Sequence, residues 1–422
     1  MGGPTNCDVV VIGGGPAGTT AATLLSRRGW SVELFERESH PRFHIGESLL
    51  PMNIPILEEL GVLEQVRSIG VLKPGADFTS EQDENHQSFP FARALGDSPP
   101  YAFQVRRSEF DALLFDNCRA AGTDARERHC VTRVEFGEGQ AHRVHVQGPD
   151  GDIRIRECRY VIDASGQQTL LASQERWRVR NPHHAAAAIF SHFEGVVPRT
   201  GEEAGNISVY WFEAGWLWLI PLTGGVTSVG AVCRPDYLKQ RRGERDEFLR
   251  ETIRNCAGAW ARCRDARQLM PARVAANYSY ESRKQIGAGY AMVGDAFAFV
   301  DPVFSSGVYL AMSSATRVVP IVEHWLRGEA RAYRRAARDY GKAVNRGLNT
   351  FCWFIYRFTT PAMRTLFRRP RNVFGLEQAV ISMLAGDVYE GREVRTRLVL
   401  FKAIYALTRV LGVGRTRATI RA

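Results

Sequence analysis

The chain has 422 residues, is 45% hydrophobic and carries a formal net charge of +10, so it can bury a substantial core and is long enough for two or three packed subdomains. Its eight cysteines include no CxxC pair, which argues against a zinc site or a disulfide framework and favours a reducing cytoplasm. The apolar stretch near the N-terminus follows no basic segment and is predicted to be a strand rather than a signal peptide, and no run predicts a transmembrane helix.

The first predicted elements are a strand, a glycine turn, a helix and a second strand. Residues 8–12 form a largely apolar, β-branched run, and residues 17–28 are rich in Ala and Leu. Residues 31–35 return to a strand pattern that ends at Glu36. This order and a length of about 30 residues are typical of a βαβ unit.

The turn of this unit has the GxGxxG spacing of phosphate-binding turns. Gly13, Gly15 and Gly18 permit a tight turn that brings backbone N–H groups and a helix N-terminus against a pyrophosphate. Glu36 stands where an acid accepts hydrogen bonds from a ribose diol. Together these residues predict a bound dinucleotide. No second motif of this kind follows in the sequence.

The middle of the chain has the alternation of β-strands and the last third has a helical pattern. Residues 207–212, 217–221 and 226–232 alternate in strand fashion, which predicts an antiparallel sheet on the substrate side. From Gly307 onward the sequence is mostly helical. We therefore expect an α/β fold in which a Rossmann-like nucleotide-binding domain carries an antiparallel sheet layer and a helical C-terminal region.

The predicted organisation has three parts. The nucleotide-binding domain is discontinuous, over residues 1–180 and 270–320, a β-sheet subdomain spans 181–269, and a helical, basic region spans 321–422. Residues 361–422 hold twelve Lys and Arg against four acids, a net charge of +8. A solvated helix face is the commonest reason for such a run and ranks ahead of a docking site for anionic lipid or an acidic protein. No nucleic-acid partner is predicted.

Two later segments favour FAD over NAD. Residues 161–166 (VIDASG) and 292–296 (MVGDA) are predicted strands that run into small-residue turns, and they resemble the FAD-contacting segments of the aromatic hydroxylase family. That resemblance implies that Asp295 meets the ribityl chain and the pyrophosphate region. Residues 105–111 resemble a further contact segment, in which Arg107 reaches the cofactor, although Arg107 could equally be a surface residue.

Four segments resemble flavin-dependent halogenases. Residues 215–221 read GWLWLIP, like the WxWxIP motif of that family, and residues 299–307 read FVDPVFSSG, like its FxxPxxSxG segment. Residues 44–49 (HIGESL) resemble its Gly-Glu-Ser segment near the flavin. Lys73 follows the βαβ unit where the family keeps its catalytic lysine. The similarity extends over residues 5 to about 320.

The resemblance implies a role for each matched residue. Lys73 would capture hypohalous acid, whereas its alternative is a surface lysine before a Pro-Gly turn. Ser306 and Gly307 would let backbone amides line a halide site. Alternating tryptophans are more often core residues than functional ones, but the resemblance implies that here they form a substrate wall. It also implies a set of cofactor contacts. The wall residues are Trp216, Trp218 and Phe304, and the cofactor contacts are Gly13, Gly15, Pro16, Ala17, Gly18, Glu36, Arg37, Glu47, Ser48, Arg107, Asp295, Pro302 and Gly307.

The implied activity is halogenation of an aromatic ring with FADH2, O2 and chloride or bromide. A flavin reductase, or transiently docked NAD(P)H, would supply the electrons. Tryptophan halogenases carry a glutamate where this chain has Phe304, and its absence favours a phenol or pyrrole, which needs less charge stabilisation than an indole. This pattern is typical of halogenases with carrier-tethered substrates, and the basic tail would suit an acidic acyl carrier protein. Antibiotic or pigment biosynthesis is the natural setting.

Three other functions compete with halogenation. An aromatic monooxygenase (hydroxylase) of the same superfamily is disfavoured by Lys73 and by residues 302–307, which lack that class's glycine-rich pattern. A prenyl-chain reductase would use the apolar C-terminal helices for a lipid, but the match to WxWxIP argues against it. A non-enzymatic flavoprotein would use the helix around residues 398–411 as a weak membrane contact.

Overall fold

The computed structural model describes residues 6–79, 86–137, 141–181, 186–240, 242–275, 279–368, 370, 372–389 and 391–412. Within these ranges the helices are α1 (Pro16–Arg27), α2 (Ile54–Glu59), α3 (Leu63–Ile69), α4 (Arg107–Ala120), α5 (Leu170–Gln174), α6 (Pro235–Lys239), α7 (Arg245–Arg254), α8 (Ala257–Cys263), α9 (Ser306–Leu326), α10 (Ala330–Ile355), α11 (Pro361–Arg368), α12 (Leu376–Ala385) and α13 (Arg392–Val410).

The strands of the same ranges are β1 (Cys7–Ile12), β2 (Val32–Phe35), β3 (Gly70–Lys73), β4 (Gly75–Thr79), β5 (His86–Pro90), β6 (Ala102–Val105), β7 (Asp124–Arg126), β8 (Cys130–Glu135), β9 (His142–Gln147), β10 (Ile153–Asp163), β11 (Arg178–Arg180), β12 (Ala187–Glu194), β13 (Ile207–Phe212), β14 (Gly215–Pro221), β15 (Val226–Cys233), β16 (Arg267–Gln268), β17 (Arg273–Ala275), β18 (Tyr280–Ser282), β19 (Ile286–Gly287), β20 (Tyr290–Met292) and β21 (Ala298–Phe299).

The first sheet carries the predicted βαβ unit at its centre. Its order is β19-β20-β10-β1-β2-β7, with β8 and β9 attached beside β10, and β20, β10, β1, β2 and β7 run parallel. Val9, Val10 and Val11 of β1 are fully buried, because helices cover both faces of a parallel sheet. The carboxyl ends of β1 and β10 meet where the Ala164 N–H donates to the Ile12 carbonyl at 2.9 Å. Ligands of such sheets bind at this edge.

The second sheet explains the alternating tryptophans. Its order is β16-β12-β15-β14-β13-β4-β5, with β17 paired to β12. Side chains of a strand alternate between faces, so Trp216 and Trp218 of β14 pack into the main core, which includes the first sheet. Leu217 and Leu219 point the other way and pack against α7 and α8. Sequence alternation therefore divides β14 between two cores.

The second sheet extends beyond residues 181–269, the range predicted for it. Strands β4 and β5 come from the part of the chain assigned to nucleotide binding, and β4 joins β13 in parallel. Strand β3, directly before β4, pairs with β6, which follows β5, in a separate short ladder. Pairing between strands far apart in the sequence has no local sequence signal. The pairing of β3 with β6 fixes the position of Lys73, the last residue of β3.

Helices close the rest of the molecule. The 21-residue α9 packs on α1, and the 26-residue α10 packs on α9. The predicted α/β fold with an antiparallel layer and a helical C-terminal region is confirmed. No helix in the described ranges combines the length and the apolar character needed to cross a bilayer. The basic tail positions outside the described residues are Arg369, Arg371, Arg415, Arg417 and Arg421.

Candidate active site

A cavity of about 530 Å³ opens at the carboxyl edge of the first sheet and reaches the inner face of the second. Its near end is lined by the glycine turn, by residues 42–48 and by the segment around Asp295. Its far end is apolar. The residues of that end come from β13, β14 and α10 and are Ile207, Trp216, Trp218, Ile220, Leu348, Phe351 and Ile355. The volume is typical of small-molecule sites.

The glycine turn is as tight as its spacing predicts. Gly13 has a φ of +101°, a conformation that favours glycine. A Cβ on Gly18 would lie 1.9 Å from the Gly13 carbonyl oxygen, so Gly18 permits the helix to approach the strand. Gly13, Gly15, Pro16 and Ala17 line the cavity, and Gly18 lies behind them. Because α1 begins here, its N-terminal amides and dipole suit a pyrophosphate.

Glu36 is held in place beside the turn. Its Oε2 accepts from the Gly14 N–H at 2.7 Å, and its Oε1 accepts from the Glu38 N–H at 2.9 Å. Arg42 Nη2 lies 3.5 Å from Glu36 Oε2 and also lines the cavity. Arg37 lines the same wall and donates to Gln168. An oriented carboxylate at the end of β2 is the geometry that a ribose diol requires.

Arg107 is buried, which excludes the surface alternative. Only 6% of it is exposed, and it makes a two-pronged ion pair with Asp111, with N–O distances of 2.7 and 2.9 Å. Its Nη1 also donates to the Ile45 carbonyl at 2.9 Å. Burial alone would raise the pKa of the Asp111 carboxyl, but the charge and hydrogen bonds of Arg107 hold it below its ordinary value. Arg107 lines the cavity and is positioned to meet a cofactor.

Asp295 also lines the cavity, at the turn that follows β20. The Tyr280 hydroxyl donates to its backbone carbonyl at 2.7 Å. Burial raises the pKa of the Asp295 carboxyl to about 7, although Arg107 and a hydrogen bond from Gln167 oppose the rise. A carboxyl near neutrality can either donate to or accept from the hydroxyls of a ribityl chain.

Glu47 presents an unsatisfied oxygen beside the cavity. The residue is 1% exposed, its Oε1 lies 2.8 Å from His192 Nε2, and its Oε2 has no hydrogen-bond partner in the described part of the chain. Buried polar atoms are normally paired. Since Glu47 and Ser48 both line the cavity, this oxygen is available to a bound group. The orphaned oxygen, the tight turn and Glu36 together fit a flavin dinucleotide.

Lys73 is wholly buried, so the alternative of a surface lysine is wrong. Its exposed fraction is 1%, and its Nζ donates to Ser48 Oγ and to the Leu49 carbonyl, both at 2.9 Å. The Phe91 ring centre lies 5.2 Å from Nζ. Burial lowers the pKa of the Lys73 amine to about 7. Lys73 does not itself line the cavity; Ser48, which does, stands beside it.

The turn before α9 borders the cavity. The Asp301 side chain accepts from the Val303 N–H at 3.0 Å, and Ser305 has a φ of +57°. α9 then begins at Ser306, and Pro302, Ser306 and Gly307 line the cavity. A Cβ on Gly307 would have no neighbour within 4 Å, so an anion has room beside the first amides of a long helix, where the dipole favours negative charge.

Two of the three residues predicted for a substrate wall line the cavity. Trp216 and Trp218 face the cavity, and the Trp218 indole N–H donates to Ser228 Oγ at 3.2 Å. Gly230 makes room for Trp218, since a Cβ there would lie 2.3 Å from the ring. Phe304 is not among the lining residues; it packs behind them on Phe358, with ring centres 5.3 Å apart.

Three residues that contact the predicted site residues were not predicted from the sequence. Arg42 links Glu36 and Asp111, with Nη1 3.4 Å from Asp111 Oδ2. His192 pairs with Glu47, and Phe91 lies under Lys73. The Arg42–Asp111 and His192–Glu47 contacts join residues 69 and 145 positions apart, and none of the contacts belongs to a local motif. Only the three-dimensional fold identifies them.

The chain matches the family model of the FAD binding domain over residues 6–343. It is 34% identical over 331 residues to the tryptophan 2-halogenase of Chondromyces crocatus, covering 77% of this chain and 63% of that protein. It is 32% identical to flavin-dependent halogenase armH3 of Armillaria mellea, covering 77% and 69%. The 1H-pyrrole-2-carbonyl-[peptidyl-carrier protein] chlorinase of Pseudomonas fluorescens is 28% identical, with 92% and 90% covered.

Solved structures agree with these similarities. A flavoprotein/dehydrogenase of Cytophaga hutchinsonii superposes with a TM-score of 0.88 at 28% identity, covering 96% of this chain and 99% of that one. The myxobacterial chondrochloren halogenase, an FAD-dependent enzyme, superposes with a TM-score of 0.78 at 29% identity, covering 98% and 91%. The likeness extends over both sheets and the C-terminal helices.

Proposed function

The chain belongs to the flavin-dependent halogenases, and we propose that it halogenates an electron-rich aromatic ring by relaying hypohalous acid through Lys73. Bound FADH2 supplies two electrons, so that with O2, one chloride or bromide ion and one proton it yields FAD, water and hypohalous acid. The observation that carries the proposal is the complete burial of Lys73 beside Ser48, a residue of the cavity wall.

The residues of the near end would hold the flavin. The glycine turn and the start of α1 would bind the pyrophosphate, and Glu36 would accept from the ribose hydroxyls. Asp295 and Arg107 would meet the chain between the ribose and the ring system. Glu47 Oε2, which has no partner in the described residues, would accept a hydrogen bond from the cofactor.

The start of α9 would hold the halide. Backbone amides at Ser306 and Gly307 are N–H donors at a helix N-terminus, the environment that anions prefer. Trp216 and Trp218 belong to the apolar far end of the cavity. In that position they would keep a substrate ring away from the flavin, so that the ring meets only the reagent that Lys73 delivers.

Lys73 is suited to capture an electrophile. Its neighbours are the neutral Ser48 Oγ, the Leu49 carbonyl and the Phe91 ring, and its pKa of about 7 leaves both amine and ammonium populated near neutral pH. The ammonium can donate a hydrogen bond to hypohalous acid. The amine can instead form a haloamine with loss of water, which returns the amine when the ring takes the halogen and gives up a proton.

A phenol or a pyrrole is the substrate class that we propose. Phe304 stands where a tryptophan halogenase would place a glutamate, so a ring that supplies its own electron density fits best. The relative from Pseudomonas is named for a pyrrole on a peptidyl carrier protein, which supports a carrier-tethered substrate. The relative from Chondromyces is named for tryptophan, so an indole belongs in any test.

The direct test supplies FADH2 from a generic flavin reductase, with bromide or chloride and a panel of phenols, pyrroles and indoles, free and carrier-linked. Mass spectrometry should detect halogenated product with the wild type and with Lys239→Met, a control at an exposed lysine. Lys73→Met should bind flavin and yield no halogenated product. Gain of one oxygen without a need for halide would make the chain a monooxygenase instead.

A further inference from the structure

The outward face of α13 is apolar from Val399 to the end of the helix. Residues three or four apart share a helix face, and the face directed at the protein buries Val394, Leu398, Phe401 and Tyr405. The opposite face, here the outer face, begins with the polar Arg392 and Thr396 and from Val399 onward carries exposed apolar side chains. These are Val399, Leu400, Ala403, Leu407, Val410 and, directly after the helix, Leu411. An amphipathic helix on a protein surface usually presents polar residues there.

The outer face is exposed to an unusual degree. Val410 is 82% exposed, Leu411 66% and Val399 62%. Phe374, which is 77% exposed, lies beside the first half of the helix, because Arg397 Nε donates to its carbonyl at 2.9 Å. The surface is therefore a convex ridge of aliphatic side chains with one aromatic ring at its side. Such patches mark contact surfaces.

Cations border the ridge. Arg395, Lys402 and Arg409 are seven residues apart and form a row along one edge of α13, and Arg397 lies on the other edge. Within α13 the only acid is Glu393, and Arg397 pairs with it at 2.8 Å. The ridge thus combines exposed aliphatic groups with an excess of positive charge.

We propose that the outer face of α13 binds the surface of an anionic lipid bilayer. A helix with an apolar face and basic edges lies in the plane of a bilayer with its aliphatic side chains among the acyl chains, while its cations meet lipid phosphates. A fluid bilayer needs no shape complementarity from a convex ridge. None of the helices described could span the bilayer, so the contact is peripheral.

Two other occupants fit less well. A second copy of the chain would bring its own row of cations on α13 against the same row of the first copy, and like charges repel. An acidic protein would match the charge, but the buried centres of protein interfaces are enriched in aromatic residues, Met and Arg, whereas the outer face of α13 is aliphatic. Both remain outcomes that the experiment distinguishes.

The experiment is flotation of the full chain with vesicles of phosphatidylcholine alone or mixed with phosphatidylglycerol in equal parts. The wild type should float with the anionic vesicles only and be released by salt. Arg395→Gln with Arg409→Gln should weaken binding about thirtyfold at low salt, from about a factor of five for each cation. Leu407→Gln with Val410→Gln should weaken it by at least about tenfold.

Matched changes on a remote hairpin serve as controls. Ile153→Gln with Ile155→Gln removes two exposed apolar side chains of β10 and should leave flotation unchanged. All variants change exposed residues, and equal melting temperatures and flavin binding would show that they fold. Absence of wild-type binding to anionic vesicles, or equal binding by the outer-face variants, would overturn the proposal. A dimer or a carrier-protein complex broken by Leu407→Gln with Val410→Gln, in place of vesicle binding, would also overturn it.

Discussion

Replacing Lys73 by methionine should make the protein more stable at low pH and abolish its halogenation. Burial lowers the pKa of the amine from 10.5 to about 7, because its neighbours are all neutral: Ser48 Oγ, the Leu49 carbonyl and the Phe91 ring. One pKa unit corresponds to about 1.4 kcal/mol, so burial disfavours the ammonium by about 5 kcal/mol. Methionine has a similar length and carries no charge, so it avoids this cost.

The sign of the pH dependence follows from the two pKa values. Between pH 7 and 10.5 the unfolded chain keeps the Lys73 proton and the folded chain releases it, so the free energy of unfolding rises with pH. Below pH 7 both states carry the charge and the folded state bears the full cost. Between pH 7 and pH 9 the free energy of unfolding of the wild type should therefore rise by about 2 kcal/mol relative to that of Lys73→Met, at a slope that approaches about 1.4 kcal/mol per pH unit.

Urea unfolding of both proteins at pH 6, 7, 8 and 9 measures this difference directly. Other titrating groups are common to the two proteins and cancel in the comparison. The hydrogen bonds lost to Ser48 and Leu49 shift the difference by an amount that does not depend on pH. Parallel stability profiles would refute the reasoning, because they would mean that the buried amine has an ordinary pKa.

Three further changes follow from the geometry of the cavity. Gly18→Ala places a Cβ 1.9 Å from the Gly13 carbonyl oxygen and should raise the flavin Kd at least about tenfold, or about 1.4 kcal/mol, in a fluorescence titration. Asp295→Asn removes a carboxyl whose pKa in the folded protein is about 7. Because that carboxyl keeps its proton in the folded state and loses it in the unfolded state, the wild type loses stability as the pH rises from 4 to 7. The free energy of unfolding of the variant, measured with urea, should therefore rise by up to about 4 kcal/mol relative to the wild type over this range. Arg107→Met leaves the buried Asp111 carboxylate with only Arg42, whose Nη1 lies 3.4 Å from Asp111 Oδ2, and should lower the free energy of unfolding by about 3 kcal/mol. Combining it with Asp111→Leu should restore most of that loss in the same assay.

Local patterns predict the parts of the molecule that local physics determines. The glycine turn needs residues that tolerate a positive φ and close packing, so its sequence indicates its geometry, as Gly13 and Gly18 show. The alternation of β14 likewise separates inward tryptophans from outward leucines. These features depend on neighbours within a few residues, and the predicted strands and first helix accordingly agree with the structure.

Other features arise only from contacts between distant segments. His192 reaches Glu47 across 145 positions, and β4 joins β13 although more than 120 residues separate them. Phe304 has the spacing of a wall residue, yet it packs on Phe358 from the turn that follows α10. The burial of Lys73 is of the same kind, because it depends on Ser48 and Phe91. No periodicity or local motif in the sequence encodes such contacts.

The most direct test of the account is a single turnover that counts halogenated product for each FADH2 oxidised in the presence of bromide. The account predicts that the wild type and Lys239→Met convert an accepted phenol or pyrrole, while Lys73→Met oxidises the flavin equally fast and forms no brominated product. Brominated product from Lys73→Met at the wild-type yield would contradict the relay through Lys73.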